Sequence, residues 1–326
     1  MSSGPGGHVA DWFDRRTFHA RDFSVDDLVR RKAEAGVSVS VILPAFNEAE
    51  TVAGVVHAID ELRGGLVDEL LVVDGGSDDG TADVAAAAGA QVHRDTDLLP
   101  ELGPTRGKGD ALWRSLSVST GDIVVFVDSD IRNPAPHFVY GLLGPLLVDP
   151  AVQLVKAFYE RPVQMGDILH ATGGGRVTEL MARPLFNSFW PDLAGLVQPL
   201  SGEYAGRRDL LECIPFFTGY GVELGMLIDT LRRHGLDAIA QVDLDERVHR
   251  NQPIDALSRM AYGIMQVALR RLADEGRVPE ALLGDPADLE RYIQFNRDAD
   301  DRIRPHERAV PIIERPPLRG PGSGTN

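Results

Sequence analysis

From Val37 onward the chain alternates short, β-branched apolar runs with stretches of helical spacing, and this alternation limits the possible folds more than any other feature. The apolar runs are Val37–Leu43, Glu69–Val73, Ala90–His93, Asp122–Val127 and Val152–Phe158. Between them Glu48–Leu62, Asp79–Ala88 and Lys108–Val118 carry the helical period, with Asp78 or Asp79 placed to cap the second helix. Strands and helices repeating at this spacing predict an α/β fold: a Rossmann-like, mostly parallel sheet with helices on both faces. Ligands of such sheets lie beyond the carboxyl ends of the strands. Those ends carry Pro44-Ala45-Phe46-Asn47-Glu48, Asp74 to Gly80, and Asp128-Ser129-Asp130, so the chemistry is expected there.

The second half is less regular. A helix is expected from Gly175 to Arg183, stopped by Pro184. Another spans Gly221–His234, a strand spans Ala238–Val248, and a long amphipathic helix spans Asp255–Asp274. Residues 1–36 read as a polar N-terminal arm with one short helix near Val25–Ala35. Residues 286–326 read as a partly disordered tail, rich in Pro and Gly beyond Glu314.

Charge narrows the function. Against 49 acidic residues stand 33 basic ones, a net −16, which argues against a nucleic-acid footprint and against adhesion to anionic membranes. Any phosphate ligand must be met locally, by a bound cation, a few placed Lys or Arg, or a helix N-terminus. The longest apolar run, roughly Phe138 to Val148, falls short of the ~20 residues a spanning helix needs. The N-terminus lacks the apolar core of a signal peptide, and the single cysteine, Cys213, permits no intrachain disulfide. Cys213 is expected to be a small buried residue, and the protein to be cytoplasmic.

The strongest motif is the apolar strand Ile123–Val127 closing on Asp128-Ser129-Asp130. Alternate residues of an extended chain point the same way, so the two carboxylates converge at a strand end and suit Mg²⁺ or Mn²⁺. Such a cation neutralises a departing nucleoside diphosphate. The turn Pro44–Glu48 offers Glu48 as acceptor for ribose hydroxyls, or is plain turn chemistry. Gly75 and Gly76 allow close backbone approach on the other side of the same cleft. Lys108, between Gly107 and Gly109 at a helix start, suits a phosphate. Three glycines, Gly173–Gly175, run into Arg176-Val177-Thr178, a helix start with an Arg and a hydroxyl that suits a phosphate or carboxylate of an acceptor. It is no Walker A loop, since the Lys-Ser/Thr ending is missing. His249, at a strand end, is placed to complete a metal shell with Asp130, and Glu223 stands at a helix start beside Gly219 and Gly221.

Taken together, LPAFNE, GKGDALWRSL, GDIVVFVDSD, GGGRVTEL, QPLSGEYA, GYGVE and VHRN occur in the order seen in the actinobacterial glucosyl-3-phosphoglycerate synthases, which the chain closely resembles from about Val37 to Pro253. These are retaining glycosyltransferases of GT-A fold. The resemblance implies a donor-binding half over 37–160, a smaller acceptor-binding half over 161–285, UDP-glucose and 3-phosphoglycerate as ligands, and a homodimer. It implies that Pro44, Ala45, Phe46, Asn47, Glu48 and Gly75 hold the uridine, with Gly75 standing where the family carries Ser. Lys108 would meet the diphosphate. Asp128 and Ser129 would bind the donor, and Asp130 with His249 the metal. Gly175, Arg176, Val177 and Thr178 would hold 3-phosphoglycerate. Tyr220, Gly221, Val222 and Glu223 would line the sugar pocket, and Arg247, Arg250 and Asn251 would close over the diphosphate.

Asp130, Glu223 and Lys108 are thus the residues expected to carry catalysis. No carboxylate stands out as a nucleophile for double displacement, so front-face attack is expected, with Glu223 positioning the sugar. Four other readings compete. A mannosyl-3-phosphoglycerate synthase using GDP-mannose shares most of these motifs. A membrane-linked polyprenyl-phosphate sugar transferase would need an anchor. A sugar-1-phosphate nucleotidyltransferase would need a Gly-rich, Arg-containing loop after the first strand. A nucleotide-sugar sensor would bind a donor without turning it over.

Overall fold

The expected alternation is realised in an eight-stranded sheet. The computed structural model describes residues 5–160, 163–165, 168–170, 175–248, 253–285, 289–298 and 300–319. Its strands are β1 Thr17–His19, β2 Val39–Ala45, β3 Glu69–Asp74, β4 Gln91–Arg94, β5 Ile123–Phe126, β6 Leu154–Glu160, β7 Val163–Met165, β8 Ile168–His170, β9 Tyr204–Arg207, β10 Phe216–Phe217, β11 Ile239–Glu246, β12 Arg291–Arg297, β13 Ile303–Ala309 and β14 Glu314–Arg315. Its α-helices are α1 Pro5–Arg16, α2 Val25–Ala35, α3 Val52–Asp60, α4 Thr81–Ala87, α5 Lys108–Ser115, α6 His137–Val148, α7 Arg183–Phe189, α8 Arg208–Cys213, α9 Val222–His234 and α10 Ile254–Asp274.

The main sheet runs β1-β11-β6-β9-β5-β2-β3-β4, and every pairing is parallel except those of β9, which lies antiparallel between β5 and β6. Successive side chains of the central strands enter opposite cores. Val41, Leu43, Ile123 and Val125 join one; Ile42, Val124 and Phe126 join the other. Both faces are therefore buried, as near-continuous apolar runs require. This is the α/β, GT-A-like architecture read from the sequence.

Five details depart from the reading. Residues 1–36 are not merely an arm. Trp12 is fully buried, its indole N–H donating to the Leu236 and Ile239 carbonyls at 3.1 and 3.0 Å, and β1 extends the sheet beside β11. The run Phe138–Val148 forms α6, whose apolar circumference has no polar face to give a period. Gly144 lets it lie against Phe23, where a Cβ would sit 2.4 Å from the ring. The helix at Arg176 does not stop at Pro184. A π-turn over Thr178–Ala182 passes its hydrogen bond from Arg183 N to the Thr178 carbonyl, and Pro184 then sits in the first turn of α7.

The fourth departure is the C-terminal segment. β12 and β13 form a hairpin, β14 pairs with β10, and Arg315 makes a bidentate pair with the fully buried Asp110, both contacts at 2.8 Å. Order thus extends well past residue 286, through Arg319 among the described residues. Cys213 is half-buried rather than buried.

Candidate active site

Strands β2, β3 and β5 end at one rim of the sheet, and their terminal loops are laced together there. Asn47 N donates to Ser77 Oγ at 2.9 Å, Glu48 N to Thr81 Oγ1 at 2.8 Å, and Asp78 N to Asn47 Oδ1 at 3.0 Å. Asn47 takes a left-handed φ of 57°, a region Asn tolerates better than most residues. The N-cap of α4 is Gly80, not Asp78 or Asp79, because the left-handed backbone there suits glycine; Asp79 accepts from Thr81 N at 3.0 Å from one residue further back. Gly75 N donates to the Ala45 carbonyl at 2.8 Å. Ser129 is buried and donates to the Pro44 carbonyl at 2.8 Å, tying the Asp128–Asp130 turn to the first loop.

On this frame stands a dense set of charges. Lys108 Nζ lies 2.6 Å from Asp128 Oδ1 and 3.5 Å from Glu223 Oε1. Arg247 Nη2 lies 3.0 Å from Asp128 Oδ2 and 2.7 Å from Asp130 Oδ1, while its Nε lies 3.0 Å from Glu203 Oε1. Burial works against the charge of Lys108, yet the Asp128 and Glu223 carboxylates outweigh it and raise its pKa well above that of an ordinary lysine. The same contest raises Arg247, where burial is overcome by Glu203 and the other carboxylates around it. Asp130 and Glu223 rise as well, but here burial is the winning influence: desolvation raises both above the ordinary carboxylate value, against the pull of Arg247 on Asp130 and of Lys108 on Glu223.

These groups border a cavity of about 660 Å³. Its lining includes Pro44, Ala45, Phe46, Glu48 and Gly75, with Phe46 62% exposed. Lys108, Asp128, Ser129, Asp130, Glu223 and Arg247 line it too. So do Gly175, Arg176, Val177, Thr178 and Tyr220. Asn47, Gly221 and Val222 are not among the lining residues: Asn47 stitches the two loops, while Val222 is buried and a Cβ on Gly221 would sit 2.4 Å from Val267. His249, Arg250 and Asn251 lie outside the described residues. A Cβ at Gly75 would meet Ala45 O at 3.4 Å, an ordinary contact, so the site accommodates either Gly or the family's Ser.

Three residues beside the cavity were given no role from the sequence. Because β9 is antiparallel, it begins where its neighbours end and delivers Gly202 and Glu203 to the same rim. A Cβ on Gly202 would lie 2.0 Å from Asp128 Oδ2, so only glycine lets that carboxylate take its place. Glu203 is fully buried and accepts from Tyr159 Oη at 2.5 Å while facing Arg247. Lys156, on β6, is buried beneath them and donates to the Ser201 carbonyl at 2.6 Å. Gly202 and Glu203 lie in the QPLSGEYA motif, which contributed to the resemblance but suggested no role for either, and the signal at Lys156 was a charged residue inside an apolar strand, too common to single out.

The rim suits a divalent cation. Asp128 and Asp130 both direct an oxygen at one guanidinium nitrogen of Arg247, so the pair already converges on a cationic group. Carboxylate oxygens are hard donors that match Mg²⁺ or Mn²⁺. Among the described residues no cluster of three His, Cys, Asp or Glu forms around them, and the expected third donor, His249, falls outside those residues.

A sheet of this topology, with paired carboxylates at its rim and a lysine opposite, defines a nucleotide-sugar-dependent glycosyltransferase. Residues 40–213 match the Glycosyl transferase family 2. The chain is 47% identical over 306 residues to glucosyl-3-phosphoglycerate synthase of Mycobacterium tuberculosis strain H37Rv, covering 93% of this chain and 91% of that protein. It is 48% identical to the enzyme of that name from Mycolicibacterium smegmatis, with coverages of 94% and 97%. The crystal structure of the M. tuberculosis synthase with Mn²⁺, UDP-glucose and phosphoglyceric acid superposes with a TM-score of 0.77 at 46% identity, covering 91% and 94% of the two chains. That of mannosyl-3-phosphoglycerate synthase from Rubrobacter xylanophilus superposes with a TM-score of 0.86 at 44% identity, covering 95% and 97%. The chain belongs to glycosyl transferase family 2 and, within it, to the glucosyl-3-phosphoglycerate synthase family. It is a hexosyltransferase, and solved relatives hold Mn²⁺ or Mg²⁺.

Proposed function

We propose that the chain transfers glucose from UDP-glucose to the 2-hydroxyl of 3-phospho-D-glycerate, giving glucosyl-3-phosphoglycerate and UDP with retention of configuration. One observation carries the reading: the Asp128–Asp130 turn, Lys108 and the Gly175–Thr178 helix start all border a single cavity. Two anionic ligands can meet there in a chain of net −16 because the cations are gathered at that one place.

In this proposal Pro44, Ala45, Phe46, Glu48 and Gly75 hold the uridine. Lys108, Arg247, Arg250 and Asn251 hold the diphosphate, Tyr220 and Glu223 the sugar, and Gly175, Arg176, Val177 and Thr178 the acceptor. Asp130 and His249, with Asp128 beside them, hold Mg²⁺ or Mn²⁺, which when bound stabilises charge on the leaving diphosphate. The acceptor oxygen bonds to the anomeric carbon on the face from which the phosphate departs. The bond from that carbon to phosphate oxygen breaks, and the hydroxyl proton passes to the leaving phosphate. Glu223 is 6% exposed and paired with Lys108, which suits a positioning role better than attack. Residues 37–160 supply the uridine and metal-binding end of the donor site and residues 161–285 the acceptor site and the remaining donor contacts, the two halves sharing the main sheet.

A second reading, mannose from GDP-mannose, is favoured by the likeness to the Rubrobacter structure. A panel of nucleotide sugars crossed with 3-phosphoglycerate and related acids, with and without chelator, separates the two. The expected result is chelator-sensitive UDP release with UDP-glucose and 3-phosphoglycerate together. Preference for GDP-mannose moves the assignment to the mannosyl enzyme, and no 3-phosphoglycerate-dependent release from any donor ends it.

The same proposal places the protein in the cytoplasm as a homodimer. A free Cys213 supports the first, together with the absence, among the described residues, of any helix long and apolar enough to cross a membrane. The outer face of the β12–β13 hairpin supports the second. Ile293, Phe295 and Ile303 are exposed there, an apolar centre flanked by Arg291, Arg297 and Glu307.

A further inference from the structure

We infer that Lys156 is a positioning residue of the donor site, its buried ammonium holding the Ser201–Gly202 turn against the Asp128 carboxylate; the inference rests on the nucleotide-sugar site proposed above. An ammonium inside an apolar strand is costly, and Leu or Met would fill the same volume without that cost. Lys156 is 1% exposed and lies on the sheet face that Leu154 shares with Phe126 and Tyr204. What its charge does is visible in its contacts. Nζ donates to the Ser201 carbonyl at 2.6 Å and stands 4.4 Å from the centre of the Tyr204 ring. The next residue is Gly202, whose backbone approaches Asp128 so closely that no Cβ fits. Lys156 therefore grips the peptide adjoining the point where the turn meets the Asp128 side chain. Leu200 and Gly202, on either side of Ser201, both line the cavity.

The surrounding groups explain why a charge survives there. Glu223 faces it from α9, Glu203 from the residue before β9, and Asp128 from the turn after β5; Lys108 opposes it from α5. Its lateral neighbours in the sheet are Gln241 on β11 and Tyr204 on β9. Burial lowers the Lys156 pKa to about 7, the nearby carboxylates holding it up and Lys108 pressing it down. The ammonium is thus present below about pH 7 and lost above it, and the grip on Ser201 weakens as pH rises. In the unfolded chain the same lysine titrates near ~10.4, so between the two values folding releases a proton and stability rises with pH.

The test is calorimetric titration of UDP, in the presence of Mn²⁺, into the full chain and its Lys156→Met and Lys156→Arg variants between about pH 6 and about pH 8.5. Lys156→Met is expected to bind UDP at least about 10-fold more weakly at the low end, with a Tm equal to or above that of the unaltered chain because a desolvated charge is gone. Lys156→Arg keeps its charge throughout and is expected to stay within about threefold at the low end. As pH rises through about 7, the unaltered chain should lose affinity relative to Lys156→Arg. Equal UDP affinity in Lys156→Met and the unaltered chain would overturn the inference, as would identical pH dependence in the unaltered chain and Lys156→Arg. The second comparison stands even if Lys156→Met does not fold. A failed donor panel would strike the proposed reaction without touching this nucleotide-binding readout.

Discussion

Asp128 receives a cation on each oxygen, Lys108 on one side and Arg247 on the other, whereas Asp130 is reached by Arg247 and carries a raised pKa from its burial. The two carboxylates of the motif are therefore unequal. In the proposed site Asp128 organises the cations that would meet the diphosphate, and Asp130 is the one that gains most from a further positive charge. Asp130→Ala is expected to lower kcat/KM by about 10³-fold or more, the several kcal/mol of a lost metal contact, and to leave Tm nearly unchanged. Steady-state kinetics at saturating Mn²⁺ checks it; a loss below tenfold removes Asp130 from the metal site.

At this scale the sequence was legible wherever a polar residue closes an apolar run, as at Glu48, Asp128 and Asp130. It was opaque at Gly202, Glu203 and Lys156. Their importance comes from what an antiparallel strand brings opposite them, and no local pattern announces that.

The antiparallel strand β9 also explains why the element-level reading was incomplete. Repeating strand–helix units predict parallel neighbours, and a four-residue strand that runs straight into the short helix α8 leaves no such trace. Its approach turn makes a sharp prediction. Gly202→Ala places a methyl group 2.0 Å from Asp128 Oδ2, so the carboxylate must move. The folded variant is expected to lose donor affinity at least about 30-fold, roughly the 2 kcal/mol of one charged hydrogen bond, while Tm shifts little. Donor KM and calorimetry report it, and unaltered donor binding contradicts it.

The N-terminal helix carries a second element-level prediction. Trp12 fills a buried slot and donates to two carbonyls flanking the start of β11. Trp12→Ala should cost about 3–5 kcal/mol in denaturant unfolding. A cost under about 1 kcal/mol would show that residues 5–19 do not belong to the core. This docking was illegible because α1 is largely polar, its exposed Arg15 and buried Arg16 pairing with Asp237 and Asp149 on distant elements.

For the whole molecule, charge and shape work together. An excess of 16 negative charges keeps general anions away, yet Lys108, Lys156, Arg176 and Arg247 converge around one cavity or directly beneath it. The fold places them by ending three parallel strands and starting one antiparallel strand at the same rim. The C-terminal segment closes the body through Arg315 on Asp110, which sits in the same helix as Lys108, so the far end of the chain braces the helix that carries the lysine proposed to meet the diphosphate. In the proposed homodimer the exposed hairpin face meets a second copy. Phe295→Asp is expected to convert a dimer into monomers in analytical ultracentrifugation with the fold intact, and a chain that is already monomeric, or a variant that stays dimeric, contradicts this.

The central claim is that this rim joins a nucleotide-bound glucose to a phosphorylated hydroxy acid through one cation-dependent step. Proton and phosphorus NMR of the full chain with UDP-glucose, 3-phosphoglycerate and Mn²⁺, read after removal of the metal, tests it most directly. The account predicts UDP and an α-linked glucosyl-3-phosphoglycerate in equal amounts, and neither when chelator is present from the start. A β-linked product, or donor consumption that ignores 3-phosphoglycerate, would contradict it.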